Sequence, residues 1–274
     1  MTIKKPLEVP VDGVAISPTS FSKMSINEIR AVKLWKGNKV TRLSQIFSTE
    51  GDSGHVTGEA TIRIVGDASK IRNVGYKMKQ GRLMVDGDAG MHLGEKMSGG
   101  DILVKGNAGS WLGSRMTGGA IEVAGDAGDY VGAPYRGSTK GMKGGSILIH
   151  GRIGSEAGSW MRGGTIVAGG ESGMFTGVHM QGGTILVRGA SQGRTGAQMS
   201  GGKIVLCDAV GSVLPSFKIE EIRENTKVGE DRITGPFYVF SGDHNENGRG
   251  RLFINAPKNP TLKLYEKYVS EPEE

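Results

Sequence analysis

Between residues 60 and 207, apolar and polar positions alternate in bursts of about five residues, each burst closed by a glycine, as in Asp101-Ile102-Leu103-Val104-Lys105-Gly106. So short a period-two run marks a strand with one buried face. The frame returns with the inward pairs Leu83/Val85, Ile102/Val104, Ile121/Val123, Ile147/Ile149, Ile166/Ala168, Ile185/Val187 and Ile204/Leu206, and Thr61-Ile62-Arg63-Ile64-Val65-Gly66 adds an earlier copy. A methionine ahead of a glycine pair sets the register: Met78, Met97, Met116, Met142, Met161, Met180 and Met199, at intervals of 19, 19, 26, 19, 19 and 19. The long interval is one period plus 7, and the inserted segment Pro134-Tyr135-Arg136-Gly137-Ser138-Thr139-Lys140 accounts for it. Such a unit is too short for the crossover helix of a βαβ motif, which needs ~30 residues or more. The expected fold is therefore all-β: a single-stranded right-handed parallel β-helix of about eight coils, with Ile, Val and Met columns inside.

The flanks lack the repeat and are expected to cap it, because an uncovered end coil presents open strand edges. Residues 1–58 are assigned to an N-terminal cap, 59–210 to the β-helix and 211–274 to a C-terminal cap and tail. In the first, Ser25 and Glu28 form a capping box ahead of a short helix, and Lys33 to Thr41 reads as a hairpin around Gly37-Asn38. In the last, Ser216 to Arg223 reads as helical, Gly235 to His244 as a late strand, the region of Gly248 and Gly250 as a loop, and the tail from Pro257 as extended.

Composition sharpens this picture. Of 47 glycines, 34 lie between Gly81 and Gly202, where they suit corners that need positive φ or close approach of stacked backbones. No Gly-X-Y triplet runs through them, which excludes collagen. The single Cys207 fits a small buried hydrophobe in a reducing compartment. No stretch approaches the ~20 apolar residues of a membrane span, so a soluble cytoplasmic protein is expected. The net charge of +6 comes from interspersed basic residues without an arginine-rich run, which favours an acidic protein partner over nucleic acid.

Active-site signatures are missing. Neither a phosphate loop nor a dinucleotide fingerprint occurs, and Gly137-Ser138-Thr139-Lys140 has the residue types of the former in the wrong order. His92, His150 and His179 fall in different columns of the repeat, while His55 and His244 lie outside it, the latter beside Asp243 and Glu246. No catalytic, cofactor or metal residue is assigned. What remains is a surface. The column His92, Trp111, Tyr130, Glu156, Phe175, Arg194 should point outward by alternation, and Lys77, Lys79, Lys96, Arg115, Lys143 and Arg162 form a basic edge beside the methionines. Stacked outward aromatics mark a partner site, or else a place where the insert folds over. Trp111, Tyr130, Tyr135 and Arg136 are the candidate partner contacts.

The coil motif Gly87-Asp88-Ala89-Gly90-Met91-His92-Leu93-Gly94, repeated from Gly106, Gly125, Gly151 and Gly170, resembles the C-terminal β-helix domain of glutamate synthase large subunits. Closer is the likeness to the C subunit of formylmethanofuran dehydrogenases. It is carried by Gly106-Asn107-Ala108-Gly109-Ser110-Trp111, by Gly125 to Gly137 with the insertion before Gly141-Met142, by the Ser25 to Ile29 segment, and by Phe237-Tyr238-Val239-Phe240-Ser241-Gly242-Asp243-His244. The resemblance implies a scaffold subunit of a complex that reversibly reduces carbon dioxide with methanofuran to formylmethanofuran, the first step of methanogenesis from carbon dioxide. It also implies that a tungsten or molybdenum pterin, zinc and iron–sulfur clusters reside on other subunits: a molybdopterin or tungstopterin subunit, a zinc amidohydrolase-like subunit and ferredoxin-like subunits. A related formyltransferase/hydrolase complex uses a similar subunit, and the columns do not separate the two. An independent solenoid binding module is the third reading; an ice binder would need a flat Thr array, whereas the outward strand positions vary.

Overall fold

The computed structural model describes residues 1–51 and 60–269. His55 and the junction at 58/59 fall outside them. The chain is a parallel β-solenoid whose coil strands are Thr61–Val65, Arg82–Asp86, Ser98–Val104, Gly118–Val123, Ser146–Ile149, Arg162–Ala168, Gly182–Val187 and Lys203–Leu206, each pairing in parallel with the next. Register is strict: Leu83 lies against Ile102, Ile102 against Ile121, Ile121 against Ile147, and so on to Ile204. A second ladder of single bridges runs down the opposite wall through Ala68, Ala89, Ala108, Ala127, Ile153, Ser172, Ser191 and Val210.

Like therefore stacks on like. The seven methionines of the repeat are each 0% exposed, and the inward Ile, Leu and Val positions are all buried. Each fully buried aliphatic side chain is worth roughly 1.5–3 kcal/mol, so these columns are the main cohesive force of a coil that has no helix to pack against. Two glycine positions show why the repeat demands that residue. Gly100 has φ +83, and a Cβ there would meet the Gly81 carbonyl oxygen of the previous coil at 2.5 Å. At Gly106 the obstacle is a side chain: a Cβ would stand 2.3 Å from Asp88 Oδ1. That oxygen is engaged, because it accepts the Asn107 N–H at 2.7 Å, while Asn107 Oδ1 accepts from Asp126 N and Asp126 Oδ1 from Arg152 N. The Gly-Asp/Asn pair is thus one device: the carboxylate or amide of one coil hydrogen-bonds the backbone of the next where glycine leaves room.

Both ends extend the sheet instead of blocking it with a plug. Thr2–Ile3 pairs in parallel with the first coil strand and antiparallel with Phe47–Ser48. The helix Ile26–Ala31 carries its capping box, with Glu28 N–H donating to Ser25 Oγ and Ser25 N–H to Glu28 Oε2. The hairpin Lys33–Lys36 with Lys39–Arg42 turns at Gly37, φ +58. At the far end Gly250–Asn255 adds a ninth parallel strand, which places Leu252 and Ile254 in the interior columns.

Two expectations are corrected here. The segment read as helical, Ser216 to Arg223, contributes to the strand Lys218–Val228, which pairs antiparallel with Asp231–Gly242. Ile219 and Ile222 share a helical spacing, but long-range pairing overrides that local signal. The payoff is burial on the outer face: Val228, Ile233, Phe237 and Val239 of this hairpin cover Leu186, Val205 and Phe253, forming a second apolar cluster. The tail is not extended either, for Pro260–Tyr268 is a 3-10 helix, tied down where Tyr238 donates to Glu266 Oε1 at 2.7 Å. No helix among the described residues is long and apolar enough to cross a membrane.

Ile121 and Ile147 lie at the middle of the interior column, each 1% exposed. Ile121→Asp or Ile147→Asp is expected to lower stability by about 4 kcal/mol or more, since it removes apolar burial and inserts an unpaired carboxyl. Thermal and urea melts of either variant check this, and a melt matching the parent would refute the column.

Candidate partner interface

The outward column is made by an unusual backbone. His92, Trp111, Tyr130, Glu156, Phe175 and Arg194 all have φ between 52 and 66, a left-handed conformation that bulky residues seldom adopt. The inter-coil ladder enforces it: His92 N–H donates to Ser110 O, Trp111 N–H to Asp129 O, Tyr130 N–H to Ser155 O and Glu156 N–H to Met174 O. With each backbone locked alike, the side chains rise in parallel from successive coils. His92 stacks on Trp111 at 5.1 Å and Trp111 on Tyr130 at 4.6 Å between ring centres, close to the ~4.8 Å strand repeat.

The insert leans onto this stack. Tyr135 sits 5.8 Å from both His92 and Trp111, tilted by 35° and 34°, and is itself 58% exposed. Arg136 donates to the Tyr130 hydroxyl at 3.3 Å. The ends of the loop are clamped, with Ser114 Oγ donating to Ala133 O at 2.6 Å and Met142 N–H to Gly132 O at 2.8 Å. Trp111, Tyr130, Tyr135 and Arg136 thus come together in space. The loop covers part of the aromatics within the same chain and presents Tyr135 and Arg136 outward.

A second left-handed column starts in the expected basic edge and continues beyond it. Lys77, Lys96, Arg115, Trp160, His179 and Gln198, each one residue before a methionine, have φ between 53 and 58. Trp160 stacks on His179 at 4.1 Å. The position does repeat along the chain, but the basic residues at its start mask the ring pair further on. Lys96 reaches the Tyr76 hydroxyl at 2.9 Å and lies 3.5 Å from Glu95, whose other oxygen is 3.1 Å from His92 Nδ1. The His92 ring beside it holds the Glu95 carboxyl below its usual range, against the opposing effect of burial.

The remaining titratable candidates have structural partners. His150 pairs with Glu122 at 2.8 Å and His244 with the Ser241 hydroxyl at 3.2 Å. Asp243, 4% exposed, bolts the cap to the last coil: its carboxylate accepts from Gln198 N and Asn245 N, and its own N–H donates to Met199 O. Burial pushes this carboxyl up, yet hydrogen bonds from the Ser216 hydroxyl and those two amides outweigh it and hold it below the usual carboxylate range. Cys207 lies half-buried against the outer cluster, and burial pushes its thiol up. Among the described residues no group of three or more His, Cys, Asp or Glu could hold a metal ion.

Fold and surface together define a glycine-rich parallel β-solenoid with one aromatic, basic face. No protein-family model matches the chain. It is 56% identical over 269 residues to the C subunit of tungsten-containing formylmethanofuran dehydrogenase 2 of Methanococcus maripaludis strain S2, spanning 96% of this chain and 98% of that one. The C subunit of molybdenum-containing formylmethanofuran dehydrogenase 1 of Methanosarcina barkeri is 38% identical over 89 residues, 32% of this chain and 30% of that protein. Among solved structures, the formyltransferase/hydrolase complex of Methylorubrum extorquens with methylofuran matches with TM-score 0.81 at 28% identity, over 93% of this chain and 98% of that chain. The chain belongs to the family of formylmethanofuran dehydrogenase C subunits.

Asp243 supplies a pH test. Its depressed carboxyl stabilises the fold fully above the unfolded pKa near ~4, and the contribution is lost as pH falls through the lower native value. Asp243→Asn should melt earlier than the parent at pH 7, by about 1–3 kcal/mol, and the difference should shrink below roughly pH 4. Paired melts at both pH values measure it.

Proposed function

We propose that this chain is the non-catalytic scaffold subunit of a cytoplasmic formylmethanofuran dehydrogenase complex, which reversibly reduces carbon dioxide with methanofuran to formylmethanofuran. The observation that carries this is 56% identity along 96% of the chain to a C subunit of that enzyme. The tungsten or molybdenum pterin, the zinc site and the iron–sulfur clusters belong, on this reading, to a molybdopterin or tungstopterin subunit, a zinc amidohydrolase-like subunit and ferredoxin-like subunits. In support, the ring nitrogens of His92, His150 and His244 lie against Glu95, Glu122 and Ser241, and burial disfavours the Cys207 thiolate a metal would require.

Trp111, Tyr130, Tyr135 and Arg136 form the contact with a neighbouring subunit. Aromatic and Arg anchors beside one another are the usual makeup of an interface hot spot. A second reading, the scaffold of a formyltransferase/hydrolase complex, is favoured by the fold likeness at TM-score 0.81, but the identity there is half as high.

Affinity purification of the native protein followed by metal analysis should recover tungsten or molybdenum with the copurifying subunits. Zinc alone would favour the second reading, and a solitary chain would sink both. Deleting residues 134–140 restores the 19-residue period. The variant should retain its melt while its affinity for the other subunits falls at least about tenfold, as expected for loss of an interface anchor; normal assembly would refute the contact.

A further inference from the structure

The small sheet at the N-terminal end leaves one face open. Its strands Lys39–Arg42, Lys33–Lys36, Val11–Asp12 and Ile71–Arg72 pair in that order. One side turns Val11, Leu34 and Ile71 into the core. On the other, register sets Arg72, Asp12, Trp35 and Val40 in one row, with the cross-strand pair Lys33 and Arg42 beside it. Trp35 is 56% exposed and Val40 52%, an aromatic–aliphatic pair of the kind that usually holds a sheet to something.

The charges on this face do not balance. Lys33 lies directly opposite Arg42, a placement that destabilises a hairpin, and among the described residues no ion pair reaches Lys33, Arg42 or Arg72. A cation on the outermost strand deters edge pairing, which accounts for Arg42. Lys33 sits on an inner strand, where that reason does not apply, and neither cation explains an exposed tryptophan. Asp12 is the one carboxylate of the four strands, and its Oδ1 already accepts from Val14 N–H and Asn73 Nδ2, both at 3.0 Å. Asn73 also ties the face to the aromatic column: it has φ +62, donates its N–H to Met91 O and stands one coil before His92. The open sheet thus continues that column toward the N-terminal end.

The chemistry of the face selects its occupant. Two copies meeting here by two-fold symmetry would set cations on cations. A single ring beside a valine is no platform for the successive bases of a nucleic acid. A protein surface that carries carboxylates relieves the Lys33–Arg42 repulsion and can lay an apolar side chain on the indole.

We propose that the sheet face around Trp35 and Val40 docks an acidic segment of a neighbouring subunit, its carboxylates on Lys33 and Arg42 and an apolar side chain on the Trp35 ring. This rests on the reading of the chain as a subunit of a complex, and adds to it a second contact surface and the sign of the partner's charge.

The test uses the assembled complex. Zero-length coupling with a water-soluble carbodiimide, followed by peptide mass spectrometry, should join Lys33 to an Asp or Glu of another subunit. Hydroxyl-radical labelling of Trp35 should be lost on going from the free chain to the complex. Lys33→Glu creates an opposite-charge pair with Arg42, so the isolated variant should melt at or above the parent, yet its assembly should weaken at least about tenfold at low salt and less at high salt. Protection of Trp35 without coupling at Lys33, and with normal assembly of Lys33→Glu, would overturn the acidic occupant. Coupling of Lys33 to a second copy of this chain, or loss of Trp35 labelling when a single-stranded oligonucleotide is added to the free chain, would overturn it in favour of those occupants. Trp111 and Tyr135 are read in the same labelling: their protection with Trp35 unchanged would overturn this surface and leave the contact at the insert standing, whereas protection of Trp35 alone would support this surface without that contact. Equal labelling of all three rings in both states would overturn both.

Discussion

Every feature of this molecule depends on one constraint: successive coils must lie in register so that backbone amides bond from coil to coil. Ile121 sits on Ile102 and under Ile147 because the strand hydrogen bonds put them there, and the same bonds stack the buried methionines. A slip of one residue would turn each aliphatic pair to the outer face. Glycines at the corners follow from the same demand, since Gly100 and Gly106 stand where the previous coil's carbonyl or carboxylate passes.

The constraint also shapes the surface. Residues held in the left-handed region by inter-coil bonds project at one angle from every coil, so side chains that differ in chemistry still rise as a column. Aromatic rings at the coil repeat stack face to face, as His92, Trp111 and Tyr130 do. The backbone cost of left-handed bulky residues, of order 1 kcal/mol each, is offset by a ladder that over-determines the conformation. The column is thereby held in one arrangement in the free chain, before anything packs on it. The insert breaks the period once without breaking the ladder, because Met142 bonds back to Gly132 and the coil resumes. It serves as a lean-to of seven residues against an otherwise uniform wall.

The caps show the constraint at its limits. A solenoid end is a strand edge, and both ends here are continued by further strands until a short or highly charged one finishes the sheet. The C-terminal hairpin does more, folding over the outer face so that Leu186 and Val205 become interior. Asp243 then locks this cap to the last coil through Gln198 and Asn245.

The solenoid was legible in the chain because its forces are local and repeated: alternation names the inward residues, the period names the neighbours, and glycine marks the corners. The capping box at Ser25 and the hairpin at Gly37 were legible for the same reason, being satisfied within a few residues. The strand Lys218–Val228 was not, because its partner Asp231–Gly242 and the apolar face it covers are not encoded in its own helix-like spacing of Ile219 and Ile222. Nor was the ninth strand, Gly250–Asn255, whose Leu252 and Ile254 alternate but lie outside the period. The surface divides likewise. Sequence placed Trp111 and Tyr130 in one outward column. Only the folded chain brought Tyr135 against them, carried Trp160 from the second column to the far side of the insert, and left Ser159 buried beneath it, since those contacts join separate coils through a loop whose path no periodicity describes.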